Sequence, residues 1–490
     1  MSKIVTFLLL FFSFSFLFVT DNSFDQDLGR HLKLGEIIVN TGQIPKTNLF
    51  SYTNPDFPFI NTHWLFEVLV YLGSTGIGLQ AILVLKIVII LLSVWLTLKT
   101  IPQEKQLLLL PLAYVFLHVL RERVELRPEI LSFLFTALSL YILEKFKESL
   151  RARTIFFLPL IQLIWVNTHI YFFVGLLLQV IFLSHLTLQH LRGHLESRKL
   201  KLLIIVFIIS VLASLINPAG LDGFLYPLVV NQNYGYSIVE NQNLFFLEGL
   251  NFRNPNFIFA KIAGGIVIFS LFISALKRQI NIKNWLLALT GLGLALLHVR
   301  SLPYLVFLSL PATLENFGKF KVLNWQKIML LIFSILILFE SFLYLSGEYY
   351  QIIGSNKKPI LKFEEHGKNA LDFALVENLP QPIFNNFDIG SYIIYRGYPK
   401  FRVFVDGRPE AYPANFFQGI YIPSQADYQN FKIVDQQINF QTVIFSHTDQ
   451  TPWAKNFLQS IVKDPTWKVV FLDDFMVIFT KSANMNTAPL

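Results

Sequence analysis

Apolar runs long enough to cross a bilayer recur through the first 346 residues of this chain, and they leave few folds open. They lie at Ile4–Thr20, Leu79–Leu98, Leu107–Leu120, Glu129–Leu143, Ile155–Val166, Tyr171–Leu188, Leu202–Ile216, Phe257–Leu276, Trp285–Val299, Ser301–Leu314 and Ile328–Ser346. A helix crosses the hydrocarbon core in about 20 residues, so the pattern predicts a polytopic α-helical membrane protein with about eleven spans. Trp64–Leu72 is apolar but too short to span, and reads as a helix lying at the interface. The hydrophobic share of 53% against 15% charged residues, over 490 residues, is not that of a soluble globule. Fifty phenylalanines suit lipid-facing surface. The absence of cysteine excludes disulfides, thiolate metal sites and cysteine nucleophiles.

Charge reports topology. The net charge of +8 comes from Lys and Arg in short loops, not from one basic stripe of the kind that binds nucleic acid. Lys3 precedes an apolar run without a small-x-small cleavage site before Asp21, so this run is expected to stay as the first helix. With Lys3 inside, alternation puts Lys99, Lys105, Lys145, Lys147, Arg151, Arg153, Arg192, Arg198, Lys199, Lys201, Lys277, Arg278, Lys283, Lys319, Lys321 and Lys327 inside as well. The outer segments are then 21–65, 121–128, 167–169, 217–256 and the region around Arg300. An odd number of crossings puts the tail outside.

From Gly347 onward the pattern changes. Val403-Phe404-Val405, Thr442–Phe445, Lys468–Phe471 and Phe475–Phe479 read as short strands, with a helical pattern at Gly367–Glu377. The expected organisation is a membrane domain over 1–346, with its first outer loop at 21–66, and an extracytoplasmic α/β domain over 347–490.

The unusual residues gather in the outer segments. Asp25-Gln26-Asp27 follows the first apolar run; in a loop, such a pair can offer one carboxylate to a divalent cation while the other accepts a proton. Mutual repulsion would raise one of the two pKa values. A solvated acidic loop is the plainer alternative. Glu67 stands one helical turn after His63, a spacing that fits either a ligand pair or an interfacial hydrogen bond. Arg121, Arg123, Arg127 and Arg300 lie at outer span ends, where a guanidinium can grip a phosphate bidentately or snorkel to headgroups. His169, after Trp165-Val166-Asn167-Thr168, reads as a packing residue or a base. Asp406-Gly407-Arg408 and Asp388-x-Gly390 are turn signals that could instead line an acceptor cleft.

The order Asp25-x-Asp27-x-x-x-His31-x-x-x-Gly35, Gly42-x-Ile44-Pro45, Phe50-Ser51-Tyr52-Thr53 and Trp64-Leu65-x-Glu67 resembles the first outer loop of bacterial GT-C-type, or Rgt-like, membrane glycosyltransferases. Their relatives include aminoarabinose transferases, protein mannosyltransferases and oligosaccharyltransferases. The resemblance continues in Leu126-Arg127-Pro128-x-x-x-Ser132, Trp165-Val166-Asn167-Thr168-His169, Asn217-Pro218-x-Gly220 with Tyr226-Pro227, Asn386-Phe387-Asp388-x-Gly390-x-Tyr392 and Val405-Asp406-Gly407-Arg408. It departs at His31, which follows Gly29-Arg30 where related loops tend to carry aromatic residues. The resemblance implies an acidic residue of this loop acting on a sugar carried by a polyprenyl phosphate.

On this basis the expected activity is transfer of a sugar from a polyprenyl-phosphate donor to a lipid, glycan or protein acceptor at the outer face of the cytoplasmic membrane. Asp27 is the expected general base, and Asp25 its positioning partner or the ligand of a divalent cation. His31, Glu67, Arg127, His169 and Arg300 are the candidates for holding the substrate and its phosphate. A transporter and a non-catalytic scaffold with a binding tail are the alternatives; the spans show no paired broken segments of the transporter kind.

Overall fold

The computed structural model describes residues 2–148, 153–194, 197–230, 234–318 and 324–482. Arg151, Lys319 and Lys321, which entered the topology argument above, lie outside the described residues. The chain divides into two units. A helical unit takes Met1–Thr20, Gln80–Gly220 and Ile238–Lys362, and a mixed unit takes Asp21–Leu79, Leu221–Ser237 and Phe363–Leu490.

The apolar runs of the helical unit are helices because, in hydrocarbon, backbone N–H and C=O groups must pair within the segment. Leu79–Lys99, Ile170–Leu191, Pro255–Leu276 and Lys327–Ser346 are long and apolar enough to cross a membrane. Lys3–Leu17, Arg153–Val166 and Ile282–Leu297 are shorter apolar helices. The start at Pro255 is set locally: the Asn254 side chain accepts from the Asn256 N–H, and Pro255 has no N–H to leave unpaired. Helix Asn324–Ser346 exposes Ile328, Leu331, Ile332, Ile335, Leu338, Phe339 and Phe342, a stripe at helical spacing with the composition of a lipid-facing surface. One expected span is interrupted. Ser301–Leu314 begins as a short turn and passes through a wide π-helical turn at Leu305–Ser309 before helix Leu310–Asn316, with Pro303 and Pro311 bracketing the irregularity.

In the mixed unit, the segment read as an acidic loop is helical. A π-helical turn, Phe24–Leu28, runs straight into helix Gly29–Thr41. Polar residues dominate its composition, yet Phe24, Leu28, Leu32, Leu34 and Ile38 are all buried, and that apolar face outweighs the charges in deciding the conformation. The interfacial helix extends to Gly76 and packs on Gly29–Thr41 so closely that a methyl at Gly35 would overlap the Glu67 carbonyl.

A four-stranded sheet orders as β1–β2–β4–β3, with β1 Ile383–Asn385, β2 Thr442–Ser446, β3 Trp467–Leu472 and β4 Met476–Lys481. β1 is parallel to β2, and the other pairs are antiparallel. Every residue of β2 is buried, as expected of a central strand covered on both faces. Val403-Phe404-Val405 is not a sheet strand. It makes an isolated bridge to Ser51, and the Phe404 N–H donates to the Asn385 side chain.

Candidate active site

Phe24 fixes the acidic turn. Its ring packs edge-on to Phe363, Tyr392 and Tyr395 at 5.5, 6.2 and 4.9 Å, while the Asp21 carboxylate accepts from the Ser23 N–H at 3.0 Å. Asp25 and Asp27, two apart on this turn, therefore meet different surroundings.

Asp25 is 5% exposed. Its Oδ2 accepts from the His366 N–H at 2.9 Å and pairs with His366 Nδ1 at 2.8 Å; its Oδ1 accepts from the Gly367 N–H at 3.4 Å. The hydrogen bond to Asp25 holds the His366 imidazole above its ordinary pKa, against partial burial and with help from Glu364 at 3.2 Å. A carboxylate so engaged by donors does not fit a metal ligand, and among the described residues no group of three or more His, Cys, Asp or Glu gathers where it could hold an ion.

The Asp27 side chain keeps 24% of its surface exposed and makes a long 3.4 Å contact from Oδ1 to Arg30. That oxygen borders Gly407 of the Asp406-Gly407-Arg408 turn. The turn itself is rigid. Asp406 Oδ1 accepts from Arg408 Nε at 2.7 Å, and Oδ2 accepts from Arg408 Nη2 at 2.7 Å and from the Tyr412 hydroxyl at 3.0 Å. Arg408 Nη2 also donates to Asn48 at 2.8 Å, and the guanidinium lies over Phe50 and Phe59. Both charges are buried. Although burial alone would raise it, the facing Arg408 guanidinium holds the Asp406 carboxyl below its usual range. This bidentate pair presents Gly407 to Asp27 from a fixed frame.

Asp388 stands near Asp27 at the start of the short helix Gly390–Gly397. Crowding by protein atoms, then the charges of Asp449 and Asp27, push its carboxyl up to about 7, although the residue retains a solvent-facing side.

Glu67 is fully buried and pairs with His31 Nδ1 at 3.0 Å and with Asn61 Nδ2 at 2.6 Å. Burial raises its pKa, opposed by Asn61 and Arg30. The partner of Glu67 is thus His31, 36 positions away, while His63 contributes its carbonyl to the helical bond with the Glu67 N–H at 3.0 Å.

The remaining candidates belong to the helical unit. Arg127 Nη1 donates to both Glu240 oxygens at 2.6 and 2.8 Å, and Arg123 bridges Glu129 at 2.6 Å and Glu240 at 2.7 Å. Although burial opposes it, Arg123 and Arg127 hold the Glu240 carboxyl far below its usual range. Arg300 donates to Asn241 at 3.0 Å, lies 3.8 Å from Glu129 and 6.0 Å over the Tyr171 ring, and leaves its buried Nε without a hydrogen bond. His169 Nδ1 pairs with Ser132 Oγ at 2.7 Å, which also accepts from Trp165 Nε1 at 2.7 Å, and its ring stacks on Tyr171.

Sequence reasoning placed Asp25, Asp27, His31 and Glu67 together, and all four lie in the mixed unit. It did not find His366 beside Asp25 or Asp449 near Asp388, nor Glu129 and Glu240 between the arginines. His366 and Glu240 are brought in from distant parts of the chain, and no local spacing marks them.

No protein-family model matches the chain, and no curated protein matches it in sequence. Among solved structures, the fold is similar to that of the archaeal oligosaccharyltransferase AglB from Archaeoglobus fulgidus, determined with an inhibitory peptide and a dolichol-phosphate. The TM-score is 0.59 at 11% identity, over 99% of this chain and 74% of that one. It is likewise similar to an Archaeoglobus fulgidus oligosaccharyltransferase in the apo form, with a TM-score of 0.55 at 12% identity, over all of this chain and 75% of the other. At such identity the likeness is one of fold alone.

Proposed function

We propose that this chain is a GT-C-like membrane glycosyltransferase that moves a sugar from a polyprenyl-phosphate donor to an acceptor hydroxyl. The reading includes about eleven crossings of the cytoplasmic membrane, the N-terminus inside and the 347–490 region outside. It is supported by the resemblance of the sequence motifs, and by a fold similar to that of an oligosaccharyltransferase whose structure holds a dolichol-phosphate.

One observation carries it furthest: Asp27 is a partly exposed carboxylate, weakly engaged by Arg30 at 3.4 Å, on a turn whose other carboxylate is locked to His366. Such a group is held on the turn and partly open to solvent. In the proposed step the acceptor hydroxyl proton passes to Asp27, the acceptor oxygen bonds to the anomeric carbon, and the bond from that carbon to the phosphate oxygen breaks. Its electron pair leaves with the lipid phosphate. Asp25 is a positioning residue, acting through His366 and the turn. In the helical unit, Arg127 and Arg300 are proposed as phosphate ligands; the buried Nε of Arg300 makes no hydrogen bond there and can donate to an anionic oxygen. His169 orients that region through Ser132, and the pair of His31 and Glu67 holds the helix that carries Asp27.

Mass spectrometry of membrane lipids and surface glycans from cells with and without the chain tests this. Loss of one sugar from a glycan or lipid, with accumulation of its lipid-linked precursor, is expected. Identical profiles, together with solute uptake by proteoliposomes that hold the purified chain, would contradict it.

A further inference from the structure

A cavity of about 520 Å³ opens in the mixed unit, within the range of roughly 300–1,000 Å³ typical of small-molecule sites. Lys33 and Glu36 of helix Gly29–Thr41, Tyr71 of the interfacial helix and Tyr395 and Arg396 of helix Gly390–Gly397 line it, together with Leu79. The transfer step proposed above uses none of them. All five polar side chains are partly exposed, so the cavity is reached from solvent.

Its polar groups are only partly engaged. The Lys33 ammonium, with three N–H groups, donates to Glu36 Oε2 at 2.7 Å, which leaves Glu36 Oε1 without a hydrogen bond among the described residues. Arg396 Nη2 donates to Asp372, and its Nε and Nη1 have no partner among the described residues. The Tyr71 and Tyr395 hydroxyls likewise make no hydrogen bond there.

The charges select the occupant. Two cations and one carboxylate share the lining, so a ligand of single sign meets its own sign on one wall. A phosphate with an ammonium arm a few bonds away meets opposite charge throughout. Its phosphate oxygens can accept from Lys33 and Arg396, and its ammonium can donate to Glu36 and face the tyrosine rings.

The surroundings select the source. Leu79 is also the first residue of helix Leu79–Lys99, one of those long and apolar enough to cross a membrane, so this wall stands where an apolar span begins. Leu72, Ile77 and Val376 are 49, 60 and 81% exposed, each within two positions of a lining residue. At a bilayer surface such side chains rest among acyl chains, and tyrosines belong at headgroup level. These neighbours favour a ligand that brings acyl chains with its headgroup.

We infer that this cavity is a binding site for the zwitterionic headgroup of a membrane phospholipid, with Lys33 and Arg396 on its phosphate and Glu36 on its ammonium. The site stands apart from the sugar-transfer reading, and neither needs the other.

In the test, the full-length chain, purified in detergent, is titrated with phosphatidylethanolamine, with phosphatidylglycerol of the same acyl chains, and with water-soluble glycerophosphoethanolamine. Native mass spectrometry counts what stays bound, and a thermal melt reads the midpoint. The wild type should retain one phosphatidylethanolamine at least about 10-fold more tightly than phosphatidylglycerol, the size of one hydrogen bond between charged groups. Arg396→Gln and Lys33→Gln should each weaken that binding about 10-fold, while Glu36→Gln should hold the two lipids about equally. Both lipids compete for one sample, so the Glu36→Gln ratio is independent of its yield. Equal binding of the two lipids to the wild type, or unaltered phosphatidylethanolamine binding in both cation variants, overturns the site. A midpoint raised as far by glycerophosphoethanolamine at equal concentration overturns the lipid as its source, in favour of a soluble phosphate ester.

Discussion

The helical unit and the mixed unit treat buried charge in opposite ways. In the helical unit, Arg123 and Arg127 close on Glu240 at 2.6–2.8 Å, and Arg123 adds Glu129 at 2.6 Å. Charges there are matched at short range, as a low-dielectric setting demands. The mixed unit contains one equally tight pair, Asp406 with Arg408, but around it stand carboxylates in looser surroundings: Asp27 at 3.4 Å from Arg30, and Asp388 facing two other acids. A fold gains nothing in stability by crowding Asp388 against Asp449 and Asp27. On the proposed reading, that crowding belongs to the site whose carboxylate takes the acceptor proton.

Removing one carboxylate from each unit should give very different losses of stability. Glu240→Ala takes the closest carboxylate from Arg127 and one of two from Arg123, both buried, and should cost about 3–5 kcal/mol of stability. Asp27→Ala removes a partly exposed carboxylate whose contact with Arg30 is long, and should cost less than about 1 kcal/mol. Denaturant titration of the purified chain in detergent reads both; equal losses would show that the two units do not differ as described.

A smaller effect separates Asp388 from the paired acids. Its carboxyl is raised to about 7 from the ordinary 3.8, so the folded state holds a proton that the unfolded state has already released. Between about pH 4 and pH 7 the unfolded chain binds fewer protons, and stability must fall as pH rises. Asp388→Asn should remove that slope, leaving the thermal midpoint less dependent on pH than in the wild type. An unchanged slope would assign it to another group.

The helices were legible because hydrocarbon forces the backbone to pair locally, and twenty apolar residues announce that constraint. The strands of the tail were legible for a similar reason: Thr442–Phe445 and Phe475–Phe479 are dense in β-branched and aromatic residues between turn signals. Val403-Phe404-Val405 has the same composition but is engaged by Ser51 and Asn385, a choice only tertiary contacts make. The Asp25-x-Asp27 segment looked like a loop because its polar residues mask an apolar face at helical spacing. Asp25, Asp27, His31 and Glu67 were found from motif order. His366 lies 341 positions from Asp25 and Gly407 380 from Asp27, and no pattern of spacing encodes such meetings. The DGR turn was legible as a turn; that Asp406 and Arg408 lock each other and so aim Gly407 was not.

The most direct test replaces Asp27 with Asn, which keeps the shape of the side chain and removes its capacity to take a proton. With the variant at wild-type abundance in the membrane and an unaltered thermal midpoint, the chain-dependent sugar product should fall at least about 100-fold, the usual contribution of a general base. Product at the wild-type level from that folded variant would contradict the account.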